Sequence, residues 1–287
     1  MNYKHIYHAG NFADIAKHVA LVYCLEALKR KDAGFFALDT HAGRGSYDLH
    51  SPESRKSAEA DQGIQRLLEI QPADKLFAAY FAAIRARSGR RLARYHGSPA
   101  QIAGALRSQD RAVFVELMPA EARAGERYLK SSGRIRVEAG DGYAALRSLL
   151  PPPERRGLVL MDPPYESAEE LKTLLAALDD AYRRWSTGTY LIWYPILSAE
   201  QRSRVHARFE SLRIPKMLFA DLAVRPDDAG LGLAGSGLII VNPPYGADDY
   251  LTAAYAAIHA AVAAPRSAGS GSGYVEVARL TGERVAQ

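Results

Sequence analysis

Two segments of this chain end an apolar run with a polar residue, two prolines and a tyrosine: Asp162-Pro163-Pro164-Tyr165 after GLVLM, and Asn242-Pro243-Pro244-Tyr245 after GLIIV. The first has the residue types for one particular task. An amine conjugated to an aromatic ring is a poor nucleophile, because its lone pair is delocalised into the ring. The Asp162 carboxylate and a backbone carbonyl at Pro163 can both accept its N–H bonds and favour a more tetrahedral nitrogen. The two prolines hold that carbonyl rigidly and donate no competing N–H. Tyr165 then offers a flat face on which a base can stack. The plainer alternative is that Pro-Pro merely stops a strand.

The ends of the other apolar runs weigh on that choice. FFALD (35–39) opens into THAGRG, where Gly43 and Gly45 let the backbone turn tightly and approach a ligand. A dinucleotide fingerprint wants a third glycine or alanine at position 48, where this chain has Asp48. The acid Asp39 followed by GxG is closer to S-adenosylmethionine sites, although a plain strand-to-helix turn fits too. RAVFVEL (111–117) carries Glu116 at its end, placed either to accept the hydroxyls of an adenosine ribose or to cap a helix. RIRVEAGD (134–141) ends in Asp141-Gly142, where the acid can accept from an adenine amine, cap the helix that follows, or do both. Three such ends precede Asp162 in order. None comes just before Asn242, which lies at the end of the last long strand, so sequence order favours Asp162 as the catalytic one.

The elements that must position these residues follow from periodicity. FADIAKHVALVYCLEALKRK (12–31) predicts a helix with Ile15, Val19, Val22, Leu25 and Leu28 on one face. Residues 46–96 show helical spacing with no strand pattern and are expected to be a helical insertion. Beyond them strands alternate with helices: strands at 111–117, 134–141, 157–162 and 189–195, with helices between and after. That alternation predicts a parallel sheet covered on both faces. KMLFADLAV and GLIIVNPP are expected to add an antiparallel pair at one edge. DDYLTAAYAAIHAAVAA is expected to be a closing helix, SAGSGSG (267–273) a flexible connector, and YVEVARL a last strand. In such sheets ligands bind beyond the carboxyl ends of the strands.

Composition limits the classes without choosing among them. The 287 residues suffice for one large domain or a domain with an insertion, and the net charge of +5 permits nucleic acid without demanding it. One cysteine, Cys24, rules out an internal disulfide and reads as a buried hydrophobe. The first residues lack a signal pattern, and no apolar run approaches the roughly 20 residues that span a bilayer. No membrane association and a cytoplasmic location are therefore expected. His5 and His8 have a metal-like spacing without a third ligand, so no metal is expected.

Taken together, YHAGNFADIAKH, LDTHAGRG, GSP at 97–99, the VEL around Glu116, GDG at 140–142, GLVLMDPPYE, TGTYLIWYP and GLIIVNPPY resemble the bacterial large-subunit ribosomal RNA methyltransferase J family over nearly the whole chain. The resemblance implies a Rossmann-like, class I S-adenosylmethionine-dependent methyltransferase fold, α/β, with a mostly parallel seven-stranded sheet. It implies a methyltransferase domain of residues 1–45 and 97–287, interrupted by a helical subdomain at 46–96. It implies S-adenosyl-L-methionine as cofactor and 23S rRNA as partner, with methylation of the exocyclic amine of adenine 2030 to N6-methyladenine. Carried over by motif, His18, His41, Gly43, Ser98, Glu116, Asp141 and Gly142 would hold the cofactor. Asp162, Pro163 and Tyr165 would be catalytic. No obligate protein partner is inferred. Where the family often has a tryptophan after the late Pro-Pro, this chain has Tyr245.

The stretch RARSGRRLAR (85–94) holds five arginines at the edge of the insertion. Arg85, Arg87, Arg90 and Arg91 are read as phosphate contacts, against the alternative of a solvated helix face. The pairs Arg155-Arg156 and Arg183-Arg184 would widen that surface. Rival readings are a DNA adenine or protein-glutamine methyltransferase, which share such motifs, and a non-catalytic RNA-binding protein that kept the fold. A nucleotide-dependent oxidoreductase ranks last, because the third fingerprint glycine is absent.

Overall fold

The computed structural model describes residues 5–70, 75–85, 92–226, 232–263 and 273–282. Helix α1 (Phe12–Lys29) starts at Asn11, whose side chain accepts from Asp14 N, and leads to strand β1 (Phe36–Asp39). Strand β2 (Ser46–Asp48) opens the insertion, which carries α2 (Pro52–Ser57), α3 (Arg66–Ile70) and α4 (Ala78–Arg85) before β3 (Arg94–His96). Then α5 (Ser98–Ala105), β4 (Arg111–Glu116), α6 (Pro119–Leu129), β5 (Ile135–Ala139) and α7 (Gly142–Leu149) alternate. Next come β6 (Gly157–Met161), α8 (Glu170–Arg184), β7 (Thr189–Ile196) and α9 (Ala199–Ser211). The chain ends with β8 (Met217–Ala223), β9 (Gly235–Val241), α10 (Ala247–Val262) and β10 (Tyr274–Thr281).

The main sheet has the order β10-β8-β9-β7-β6-β1-β4-β5. Neighbours from β5 through β7 are parallel, while β7–β9, β9–β8 and β8–β10 pair antiparallel. The expected Rossmann-like α/β sheet is therefore present, with eight strands among the described residues in place of seven. The expected antiparallel pair, β8 and β9, is added at one edge of the parallel strands, beyond β7. Within that addition β9 lies between β7 and β8, and β10 forms the outermost strand.

From β1 the chain steps outward through β4 to β5, then returns across β1 to β6 and β7. The β1–β6 boundary is thus the switch point, where successive loops part to opposite faces and leave a crevice at the carboxyl edge. β1, β6, β8 and β9 are buried along their whole length, as strands covered on both sides must be. One side packs on α1, α5, α6 and α10, the other on α7, α8 and α9.

One expectation for the early part of the chain needs correction. Residues 46–96 are not purely helical: β2 and β3 pair antiparallel, Ser46 with His96 and Asp48 with Arg94, and join the two ends of the insertion. Strands of three residues are too short to show period-two alternation. Helix α1 forms as expected with Ile15, Val19, Val22 and Leu25 buried, and Lys17, His18 and Leu21 are buried with them. Apolar residues of the insertion, including Ile64, Leu67, Phe77 and Tyr80, share its core and cover the side that would otherwise meet water. Among the described residues no helix is long and apolar enough to cross a membrane.

Candidate active site

A cleft of about 1510 Å³ opens over the carboxyl edge at the switch point, bordered by the loops after β1, β4, β5 and β6 and by α1. The loop after β1 turns at Gly43, with φ +61°, where a Cβ would meet the Tyr47 hydroxyl at 2.4 Å. Gly43 N donates to Glu116 Oε2 at 2.8 Å, and Met118 N donates to Oε1 at 2.7 Å. Each carboxylate oxygen has a second lone pair left for a ligand. Asp141 caps α7 by accepting from Tyr143 N at 2.8 Å, so its capping role is real and its carboxylate also borders the cleft. A Cβ at Gly142 would lie 2.1 Å from Thr40 O, so only glycine lets α7 begin this close to the β1 loop.

Asp162 leaves β6 at the centre of this edge, half-buried. Lys17 Nζ donates to its Oδ2 at 2.5 Å and lies 2.9 Å from Asp14 Oδ1. Asp14 Oδ2 accepts in turn from Gly10 N at 2.9 Å and faces His5 Nε2 at 3.0 Å. Burial works against both charges. The two carboxylates outweigh it at Lys17, whose ammonium is held above its ordinary range. At Asp14 the opposing partners His5 and Lys17 likewise win, and its carboxyl is held well below its ordinary value. Sequence reasoning gave Lys17 and Asp14 no role. The available signal was that they open a helical stripe continuing through Leu21, Leu25 and Leu28, so two charges were bound for the interior.

Two histidines line the cleft. His18 is 1% exposed, its Nδ1 is 2.7 Å from the Tyr95 hydroxyl, and its Nε2 is buried with no hydrogen-bond partner among the described residues. Burial pushes it down to about 3. His41 Nδ1 is 2.8 Å from Thr40 Oγ1, its ring meets Tyr143 edge-on, and burial pushes it down to about 4. Both rings are neutral at pH 7. Ser98 opens α5 after its N-cap Gly97, and its hydroxyl donates to Asp39 Oδ2 at 2.6 Å. Burial pushes Asp39 up to about 7, against the bonds from Ser98 and His41 N.

The aromatic wall differs from the expected one. Pro163 and Pro164 line the cleft, but Tyr165 does not. Its hydroxyl donates to Trp193 O at 2.8 Å and its ring packs on the α7–α9 side of the sheet. Trp193, which had no assigned role, lines the cleft from β7.

Sheet direction separates the two Pro-Pro-Tyr motifs. β9 runs against β7, pairing Val241 with Tyr190 and Gly235 with Ile196. Asn242 therefore emerges beside the start of β7, at the amino edge, while Asp162 emerges at the carboxyl edge. Its side-chain amide donates to Ser186 O at 2.9 Å and Gly188 O at 2.8 Å, binding two strand connections together.

The arginines divide in the same way. Arg85 ends α4 with its guanidinium over the Phe81 ring, 5.4 Å from the centroid. Arg87, Arg90 and Arg91 lie outside the described residues. Arg156 donates to Leu28 O and Ala33 O, and Arg184 to the carbonyls of Leu146, Arg147 and Leu150. These two arginines tie loop and helix-end carbonyls instead of widening a surface beside the cleft. Arg44 pairs through two hydrogen bonds with Glu121. His8 faces Glu59, and His5 faces Asp14.

The model of the family described as "Ribosomal RNA large subunit methyltransferase D, RlmJ" matches residues 32–274. A protein of Haemophilus influenzae named ribosomal RNA large subunit methyltransferase J is 41% identical over 247 residues, 85% of this chain and 88% of that protein. Its namesake in Escherichia coli is 38% identical over the same shares. A crystal structure of a Legionella pneumophila protein superposes with a TM-score of 0.84 at 33% identity, covering 97% of this chain and all of that one.

Proposed function

Because the chain belongs to the ribosomal RNA large subunit methyltransferase J family, we propose that it methylates the exocyclic amine of one adenine in 23S rRNA, with S-adenosylmethionine as donor. The observation that carries this reading is the place of Asp162-Pro163-Pro164, at the carboxyl end of β6 beside the switch point and across the cleft's floor from the Gly43 turn. A carboxylate and a rigid carbonyl are thereby offered where an amine and a methyl donor can meet.

The residues around the β1 loop fit the cofactor. Gly43 and Gly142 are positions where a side chain would collide with neighbouring groups, Glu116 keeps free lone pairs, and His18 has a buried nitrogen awaiting a partner. His41, Ser98 and Asp141 complete the set that would hold it. When bound, S-adenosylmethionine supplies an electrophilic methyl group on a positively charged sulfur.

The chain's own part in the reaction is to position and polarise the amine. With Oδ2 engaged by Lys17, Asp162 Oδ1 is free to accept one amine N–H, and the Pro163 carbonyl accepts the other. Both bonds concentrate electron density on the nitrogen, and the carboxylate stabilises the positive charge that grows there in the transition state. A modified base must leave its helix to reach such an edge. An rRNA substrate also places the work in the cytoplasm.

Single-turnover methylation of an unmodified 23S rRNA fragment, with duplex DNA and a release factor as parallel acceptors, tests the reading. Asp162→Asn keeps shape and a carbonyl but loses the charge. It is expected to slow transfer at least a hundredfold, about 2.7 kcal/mol, with cofactor affinity intact. Glu116→Ala is expected to weaken cofactor binding first, by about 1.5–3 kcal/mol. Equal loss of cofactor affinity in both variants would contradict the division of roles. Transfer to DNA or protein in preference to rRNA would replace the acceptor.

A further inference from the structure

We propose that Tyr95 and Tyr80, both carried by the insertion, are positioning residues for the cofactor: they reserve the ring hydrogen of His18 for Nε2, so that this histidine donates to the carboxylate of the cofactor's amino-acid end. This rests on the reading of the cleft as an S-adenosylmethionine site, and it gives the insertion a part in that site.

A buried line of three side chains crosses the boundary between insertion and core. The hydroxyl of Tyr80, on α4, lies 3.1 Å from that of Tyr95, on β3, and the Tyr95 hydroxyl lies 2.7 Å from Nδ1 of His18, on α1. Both tyrosines are fully buried, and His18 is 1% exposed. The Gly10 turn packs on the Tyr95 ring, where a Cβ would come within 3.4 Å. Among the described residues neither hydroxyl has another hydrogen-bond partner. His18 borders the cleft, and its Nε2 has no partner among the same residues.

Burial keeps His18 neutral at pH 7, so its ring carries one hydrogen, and the line decides which nitrogen holds it. A tyrosine hydroxyl has a single hydrogen to donate. When Tyr80 donates to Tyr95 and Tyr95 to Nδ1, both hydroxyl hydrogens are used and the ring hydrogen sits on Nε2. The one unmet donor is then Nε2–H, at the cleft, where a ligand can take it. In the reverse direction Nδ1–H donates to Tyr95 and Tyr95 to Tyr80. That strands the Tyr80 hydrogen in the core without an acceptor and still leaves Nε2 unmet. An unmet buried donor is costly, and the first direction prevails.

The tautomer selects among the cofactor's groups. Its amino-acid end offers a carboxylate, which only accepts hydrogen bonds, and an ammonium, which only donates them. Nε2–H meets the first and is closed to the second. Position agrees with this choice. With Glu116 on β4 for the ribose and Asp141 beyond β5 for the adenine, the amino-acid end points back across β1 toward β6. Helix α1 packs on β6, and Lys17, the residue before His18, reaches Asp162 there.

Nitrogen NMR of the full chain tests the line without any turnover, the His18 signals being assigned by their loss in His18→Gln. It is expected to show the hydrogen on Nε2 and a bare, hydrogen-bonded Nδ1. Calorimetry then compares S-adenosylhomocysteine with methylthioadenosine, which lacks the amino-acid end. Tyr95→Phe is expected to bind S-adenosylhomocysteine about tenfold more weakly, as loss of support for a bond to a charged group implies, and methylthioadenosine as the native protein does. Tyr80→Phe is expected to lose less, because Tyr95 can still donate to Nδ1. A hydrogen on Nδ1 in the native protein overturns the inference. So does unchanged S-adenosylhomocysteine binding in Tyr95→Phe, an equal loss for both ligands, or a loss in Tyr80→Phe as large as in Tyr95→Phe. Should melts show Tyr95→Phe unfolded, the native NMR spectrum decides. A native protein that binds neither ligand removes the cofactor reading itself, which is a separate failure.

Discussion

Asp162 and Asn242 follow the same apolar pattern and precede the same Pro-Pro-Tyr, yet their side chains have opposite tasks. The carboxylate of Asp162 is split between a buried cation on one oxygen and the open cleft on the other. The amide of Asn242 spends both donors on the backbone of the turn before β7 and holds a positive φ of 51° that asparagine tolerates better than most residues. Asn242→Ala is therefore expected to leave more than a tenth of the methylation activity and to lose about 0.5–2 kcal/mol of stability through the missing bonds. Thermal melts and single-turnover rates on the same preparation check it. A fully folded but inactive Asn242→Ala would reverse the roles of the two motifs.

At the scale of elements, the insertion is joined to the cleft it borders. The β2–β3 ladder closes its base, Gly97 N donates to Gly45 O at 3.0 Å, and Ile64 N donates to Gly10 O at 2.9 Å. Glu59 accepts from Asn11 at 2.9 Å and faces His8, so the loop after α2 grips the start of α1, the helix that carries Lys17. An RNA that touches the insertion would press on the same elements that orient Asp162. Replacing Arg85, Arg87, Arg90 and Arg91 together is expected to raise the RNA dissociation constant and flatten its salt dependence. The slope should fall by roughly 0.7–0.9 for each phosphate that is no longer neutralised. An unchanged slope in binding titrations across salt concentrations would make this stretch a solvated surface only.

The whole molecule places its ionisable groups so that stability has a defined response to pH. His18 and His41, pushed down to about 3 and 4, stay neutral in the fold where the unfolded chain, near 6.5, binds protons. The unfolded form then carries more protons, and stability is lost as pH falls from about 6.5 toward 4, by roughly 1.4 kcal/mol per unit for each proton. Asp39, pushed up to about 7, has the opposite sign: it is protonated in the fold and ionised when unfolded above about 4, so its contribution fades as pH rises toward 7. Two histidines outweigh one carboxyl, and stability is expected to climb from pH 4 to about 6.5 and then decline slightly toward 7. His18→Gln should reduce the acid-side slope of denaturation midpoints by about one proton. An unaltered slope would mean that His18 titrates normally in the fold.

What the sequence determined by itself was local. Periods of two and 3.6, glycine turns and strand-end acids named most of the elements and assembled Gly43, Glu116, Asp141 and Asp162 in order, because each signal lies within a few residues of what it positions. β2 and β3 escaped notice because three residues cannot display a period, and their pairing spans the whole insertion. Only the tertiary structure could decide the rest. Whether a strand end faces the cleft depends on the direction of its strand in the sheet, and the reversed β9 carries Asn242 to the far edge. Whether an aromatic residue meets the cleft depends on register, which set Trp193 level with Asp162. Lys17 finds Asp162 across 145 residues of chain. Such a partnership exists only once α1 has been packed against the carboxyl edge, and no local pattern encodes it.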